Sequence, residues 1–170
     1  VPHLGALLRN QQSRQVLVRL HDASAGESRD LIVVPTTNEY DLRYTDWEVS
    51  RRQRVEEAGE GQLGYLHLRA MGAGDINDFY RQFYPVFDRQ GLVLDMRRNR
   101  GGNIDSIILE KLMRQAWMYW KTRVGRPTWN MQYAFRGHMV LLVDAETASD
   151  GEATADGPPR LGPGQAGRTR

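Results

Sequence analysis

Two stretches of this chain hold residues whose types and spacing could do chemistry. Ala148-Ser149-Asp150-Gly151 follows the apolar run Val140-Leu141-Leu142-Val143, and Asp95-Met96-Arg97-Arg98-Asn99-Arg100-Gly101-Gly102-Asn103 follows a second run, Leu92-Val93-Leu94. A serine set among small residues at a strand end can present its hydroxyl as a nucleophile. Paired glycines let the backbone adopt positive φ and let a substrate come close to main-chain amides. Amides at the start of a helix also favour developing negative charge. If the two stretches meet, Ser149 and the main-chain donors of Asp150 and of the Gly101-Gly102 pair converge on one carbonyl oxygen, which is what acyl transfer requires. Each stretch alone also fits a plain tight turn, and a buried or turn-forming serine is the commoner outcome for such a residue.

The elements around these loops decide whether they can meet. Residues 15–20 and 30–34 are β-branched and apolar-rich and read as a hairpin with a long connection, 21–29, around Gly26. Two strands do not stand alone in water, so this pair calls for more sheet. Thr45 and Glu48 fit a capping box for a surface helix running to about Glu57 and stopped by Gly59 and Gly61. Residues 65–69 alternate as in a half-buried strand, with His67 on the polar phase, hydrogen-bonded or exposed. Asp75 reads as the N-cap of a helix carrying Ile76, Phe79, Phe83, Val86 and Phe87 on one face, kinked or shortened by Pro85. Residues 92–96 then read as a strand buried on both faces, as in a parallel sheet. After the loop 97–102 comes a long helix with Ile104, Ile107, Ile108, Leu112 and Trp117 at helical spacing, ending in the aromatic stretch 117–121 packed on its neighbours. Residues 138–143 form another buried strand, and 153–156 start a helix. From Gly157 on, Gly and Pro fill half the positions and the chain has too little to pack. The alternation of strands and helices predicts an α/β layered domain. Parallel strands in such a sheet deliver the loops after them to one edge, where Ser149 and the glycine pair would face each other.

Composition excludes several function classes. Of the 170 residues 40% are hydrophobic and 26% charged, and the formal net charge is +2, as in a soluble globular protein. Absence of cysteine removes thiolate nucleophiles, disulfides and zinc–thiolate sites. His3, His21, His67 and His138 lie far apart in sequence, so no metal or cofactor is expected. Basic residues are interleaved with acidic ones, as in residues 51–57, which reads as a solvated helix face and not as a nucleic-acid patch. No apolar run is long enough to span a bilayer. The N-terminus has no signal-peptide pattern and no initiator Met, which leads us to expect a piece of a longer protein.

Three segments, GYLHLRAM, FYRQFYPVFDRQGLVLDMRRNRGGNIDSIILEKL and ETASDGE, resemble the catalytic region of tricorn proteases, serine peptidases related to the C-terminal processing (tail-specific) proteases. The resemblance covers roughly residues 12–156, and its most specific marks are the Asp-x-Arg-x-Asn-x-Gly-Gly run and the Ala-Ser-Asp-Gly-Glu block. It implies a crotonase/Clp-protease-like α/β core over residues 37–156, preceded in residues 1–36 by the C-terminal part of a PDZ-like β domain; the composition of residues 157–170 adds the expectation of a disordered tail. By the same similarity Ser149 corresponds to the nucleophile, and the amides of Gly102 and Asp150 correspond to the oxyanion hole, with Gly101 the second choice beside Gly102. The family's general base, a His preceded by a Ser, lies upstream of the PDZ-like part, and its orienting Glu lies downstream of the core. Both are expected outside these residues, which leaves the chain nearly inactive by itself. Neither His67 nor His138 matches the base. Some relatives carry an acidic residue that selects basic P1 side chains; near Trp120 this chain has an aromatic one instead. The resemblance further implies a cytoplasmic homo-oligomer acting on peptides or unfolded proteins, without a cofactor. Two other readings stay open: a non-catalytic PDZ-like peptide-binding module, and a crotonase-like acyl-CoA enzyme.

Overall fold

Residues 3–161 are described by a computed structural model, whose chain divides into two units, Val1–Trp47 and Glu48–Arg170. In the first, a short helix α1 (Leu4–Leu7) precedes strands β1 (Val16–Asp22) and β2 (Glu27–Val33), paired antiparallel from Val16↔Val33 to Asp22↔Glu27. The strands run further toward the turn than the sequence suggests, and the connection shrinks to residues 23–26. Asp22 explains this: its Oδ1 accepts from the amides of Ser24 (2.9 Å) and Ala25 (3.2 Å) and from the Ser24 hydroxyl, while Gly26 takes φ +68°. The hairpin leaves Leu17 65% and Ile32 68% exposed, as two strands without further sheet must.

Helix α2 (Tyr40–Ala58) starts well before Thr45. Asn38 Oδ1 accepts the Tyr40 amide (2.9 Å), and the Thr45 hydroxyl donates back to the Asp41 carbonyl (2.8 Å), so Thr45 lies inside the helix and is not its N-cap. Glu48 is engaged by Arg52 and Arg69 instead of reaching back to a cap. At the other end, the Gly61 amide bonds to the Glu56 carbonyl and the Glu60 amide to that of Glu57. These are the two bonds of a Schellman motif, with Glu60 (φ +49°) in the left-handed position expected for a glycine.

The second unit is built on β3 (Leu63–His67), β4 (Gly91–Asp95) and β7 (His138–Leu142), a parallel sheet in the order β3-β4-β7. Between β3 and β4 lies α3 (Asp75–Phe83). Between β4 and β7 lie α4 (Asp105–Leu112) and the hairpin β5 (Met118–Trp120) and β6 (Thr128–Asn130), and α5 (Asp150–Leu161) follows β7. The core joins the sheet residues Leu66, Leu92, Leu94, Met139 and Leu141 to Phe79 and Phe83 of α3 and Ile108 and Leu112 of α4. Each such side chain contributes roughly 1.5–3 kcal/mol by leaving water.

Several sequence expectations change here. Strand β3 is buried on both faces, not half-buried. Gly74, not Asp75, is the N-cap of α3; the Asp75 carboxylate accepts the Gly72 amide (2.8 Å) from the first turn. That helix ends before Pro85, whose ring cannot continue it. Strand β7 alternates between buried and outward residues, with Val140 exposed. Helix α4 is short: Trp117 keeps helical spacing by coincidence, and residues 118–120 form a strand, with Tyr119 paired and packed against Trp129 (ring centroids 5.5 Å apart). Helix α5 begins at Asp150 and takes in Gly157 and Pro158, both buried, so residues 157–161 are helical, against the expectation of a disordered tail from Gly157. Residues 162–170, where the rest of that tail falls, lie outside the described residues. No helix among the described residues is long and apolar enough to cross a membrane.

Candidate active site

Because the sheet is parallel, β4 and β7 release their following loops at the same edge. The loop after β4 is fixed first by Asp95, whose fully buried carboxylate accepts from the Tyr65 hydroxyl (2.7 Å) and from the amide and guanidinium of Arg97. Burial acts to raise its pKa, but these bonds outweigh it and hold Asp95 below the ordinary carboxylate range. Burial and the adjacent Asp95 charge push the Tyr65 phenol far up, so it stays protonated and donates.

Three bonds lace this loop to the one after β7. The Arg98 amide donates to Asp144 Oδ1 (3.0 Å), the Thr147 hydroxyl to the Met96 carbonyl (2.9 Å), and the Ala148 amide to the Asn99 carbonyl (2.9 Å). Asp144 also accepts the amides of Glu146 and Thr147. Its partial burial works to raise the pKa; the amide and hydroxyl donors prevail, and it lies below the usual range.

The lacing sets Ser149 beside Gly101. A Cβ on Gly101 would come within 2.7 Å of Ser149 Cβ and 2.9 Å of the Asp150 nitrogen, and Gly101 itself takes φ +91°, so only glycine fits there. Gly102 packs on another neighbour: it forms a parallel bridge with Met71, in the segment that follows β3. Met71 donates its amide to the Gly101 carbonyl (3.0 Å) and accepts the Asn103 amide (2.8 Å). A trans peptide places its C=O and N–H on opposite sides. With the Gly101 carbonyl turned toward Met71, the Gly102 N–H therefore turns away from it.

Three groups at this edge have no acceptor or donor among the described residues: the Gly102 N–H, the Asp150 N–H and the Ser149 hydroxyl. The Gly101 N–H, in contrast, is committed to Asn99 Oδ1 at 2.8 Å. Ser149 is exposed, has φ +55°, and is followed directly by α5. Ser-x-x-Glu at a helix start is a capping-box pattern, yet only half of it forms: Glu152 Oε2 accepts the Ser149 amide (3.1 Å), while the hydroxyl caps nothing among the described residues.

The sequence reading missed Asp150's second role. Its Oδ2 accepts the amides of Ile104 (2.7 Å) and Asp105 (3.0 Å), capping α4 from a residue far along the chain. The helix start after the glycines thus has two of its free amides, those of Ile104 and Asp105, already used, which removes them from the amides expected there to meet developing charge. Losing this carboxylate unties α4: Asp150→Ala is expected to speed hydrogen exchange at the Ile104 and Asp105 amides about tenfold, the equivalent of ~1.4 kcal/mol. Unchanged protection there would show that the cap carries no weight. Asn99, Thr147 and Asp144 were missed too. An Asn two residues before a glycine is a local signal for Asn99; nothing local announces the other two.

Neither histidine of the second unit is presented to Ser149. His67 is 1% exposed, with Nδ1 2.8 Å from the Asp95 carbonyl, so Nδ1 carries the proton. Desolvation lowers its pKa and keeps the ring neutral. His138 begins β7, at the opposite edge of the sheet. No group of three or more His, Cys, Asp or Glu arranged to hold a metal ion occurs among the described residues.

The sequence matches the family model Peptidase family S41 over residues 62–157, the stretch from just before β3 into α5 that contains both loops. The chain belongs to peptidase family S41. Among curated relatives, this S41 chain is 36% identical over 148 residues to Tricorn protease homolog 1 of Streptomyces coelicolor, covering 87% of the chain and 14% of that protein. It is 32% identical over 145 residues to Tricorn protease of Thermoplasma acidophilum, covering 85% and 14%. Against the crystal structure of the tricorn protease the S41 chain superposes with a TM-score of 0.83 at 30% identity, over 95% of its own length and 16% of the other. It therefore spans about a seventh of the length of the relatives it matches.

Proposed function

We propose that this chain supplies the nucleophile and the oxyanion donors of a serine endopeptidase. The observation that carries the reading is a Ser149 hydroxyl and two amides, those of Gly102 and Asp150, all unengaged among the described residues, in a laced pair of loops. In the reaction, Ser149 Oγ attacks the scissile carbonyl carbon while its proton passes to a base. The oxyanion is held by the two amides, and collapse expels the amine, which takes the proton and leaves an ester on Ser149. Water, deprotonated by the same base, then hydrolyses that ester. The base is proposed to be a His preceded by a Ser, and its orienting acid a Glu, all outside these residues. Without them the hydroxyl is a poor nucleophile, and the chain alone is slower by about 10⁴-fold. Support comes from family membership and from the similarity to tricorn proteases. By the same similarity we propose peptides or unfolded proteins as substrates, a homo-oligomeric assembly, a crotonase/Clp-protease-like core, and a PDZ-like origin for the β1–β2 hairpin.

The test is covalent. In the full-length protein a fluorophosphonate is expected to label one residue, with peptide mapping placing the adduct on Ser149. Saturable binding of a CoA thioester without labelling would overturn the peptidase reading in favour of acyl-CoA chemistry.

A further inference from the structure

We infer that Asn99 is the positioning residue that decides which glycine amide faces the reacting carbonyl and that seats the nucleophile loop against it. The inference rests on the peptidase reading above. Asn99 is fully buried and uses both ends of its side chain and both of its backbone groups. Its Oδ1 accepts the Gly101 amide (2.8 Å), and its Nδ2 donates to the Leu68 carbonyl (2.8 Å), just beyond β3. Its own amide closes a turn on the Met96 carbonyl (3.1 Å), and its carbonyl accepts the Ala148 amide (2.9 Å), one residue before Ser149. The side chain also packs on the first turn of α5, where a Cβ on Gly151 would lie 3.2 Å from Asn99 Oδ1.

One residue thus joins three segments: its side chain holds the exit of β3 and the glycine loop, and its carbonyl, fixed by that side chain, holds the serine loop. Its effect on the donors follows from what it takes away. Two adjacent glycine amides compete for one oxyanion. By occupying the Gly101 N–H, Asn99 removes that competitor, and with the Gly101 carbonyl held by Met71 the next N–H, that of Gly102, is left in a fixed direction. Asn suits the position because it offers an acceptor and a donor from one planar group without charge. An aspartate of the same shape keeps the acceptor, loses the donor to Leu68, and sets a negative charge beside the developing oxyanion. A protonated aspartate restores the donor and removes the charge.

That difference gives a test that a purely structural role would not pass. In the full-length protein, peptide hydrolysis by Asn99→Ala and Asn99→Asp is measured per site titrated with a fluorophosphonate, so that misfolded molecules drop out. The expected result for Asn99→Ala is a kcat per titrated site lower by about 100-fold, near the loss of one oxyanion donor, with KM changed by less than about threefold. For Asn99→Asp, the ratio of kcat/KM to that of the wild type is expected to rise as pH falls and the buried carboxyl takes up its proton. A ratio flat with pH overturns the inference, as does an unchanged kcat per site in either variant. If Asn99→Ala yields no folded protein, the pH dependence of the near-isosteric Asn99→Asp decides alone. A Ser149→Ala control as active as the wild type would sink the peptidase reading itself; an inactive control beside fully active Asn99 variants would sink only the role of Asn99.

Discussion

Ser149→Ala in the full-length protein is expected to lower kcat for peptide hydrolysis by about 10⁴-fold or more, with KM little changed. The size follows from the proposed mechanism. Without the hydroxyl no acyl-enzyme forms, and what remains is the stabilisation two amides give to direct attack by water. The hydroxyl bonds to nothing among the described residues, so its removal leaves no buried partner unsatisfied, and folding should survive. The Glu152 bond to the Ser149 amide is untouched by the substitution. A large loss of rate with an unchanged unfolding transition is therefore the expected pair of measurements. Equal hydrolysis by the two proteins would reject Ser149 as nucleophile.

The second large effect is expected at Gly102, for a different reason. A Cβ there would lie 1.9 Å from the Met71 carbonyl oxygen and 2.1 Å from the Met71 carbonyl carbon, both of them backbone atoms that no rotamer change can clear. Gly102→Ala must push the glycine loop off Met71 and weaken the two bonds that flank it, Met71 amide to Gly101 carbonyl and Asn103 amide to Met71 carbonyl. Overpacking costs about 1–3 kcal/mol and each lost hydrogen bond roughly 0.5–1.5 more, so a clear drop in thermal stability is expected. Since the same shift turns the Gly102 N–H out of line, kcat should fall by a further 10²–10³-fold, roughly, in the molecules that remain folded. Kinetics per titrated site separate the two effects. Normal activity with normal stability would mean that the loop does not rest on Met71 at all.

The parts of the fold that local sequence dictates were readable. The run Leu92-Val93-Leu94 is apolar on both faces, which is why a buried parallel strand could be named from it. Pro85 ends α3 through its own covalent geometry. What escaped was set by partners distant in sequence. Trp117 fits the period of the preceding helix, and only pairing with residues 128–130 turns the stretch after it into a strand. The cap of α4 is Asp150, 46 residues beyond Ile104, so no window of sequence could reveal it. Thr45 shows the opposite failure: the capping-box pattern is locally sound, but Asn38 starts the helix earlier. At the site, residue types and the strand-to-helix setting pointed to Ser149 and the glycine pair. The division of labour between Gly101 and Gly102 depends on hydrogen bonds to Asn99 and Met71, and these belong to the folded chain alone.

The backbone of Ser149 carries one more consequence. At φ +55° an ordinary L-residue is held where only glycine sits without steric cost, a matter of roughly 1–2 kcal/mol. Ser149→Gly should therefore yield a more robust but chemically silent protein. At this position selection for durability and selection for turnover would pull in opposite directions, and a homologue that has abandoned hydrolysis would be free to drift toward glycine.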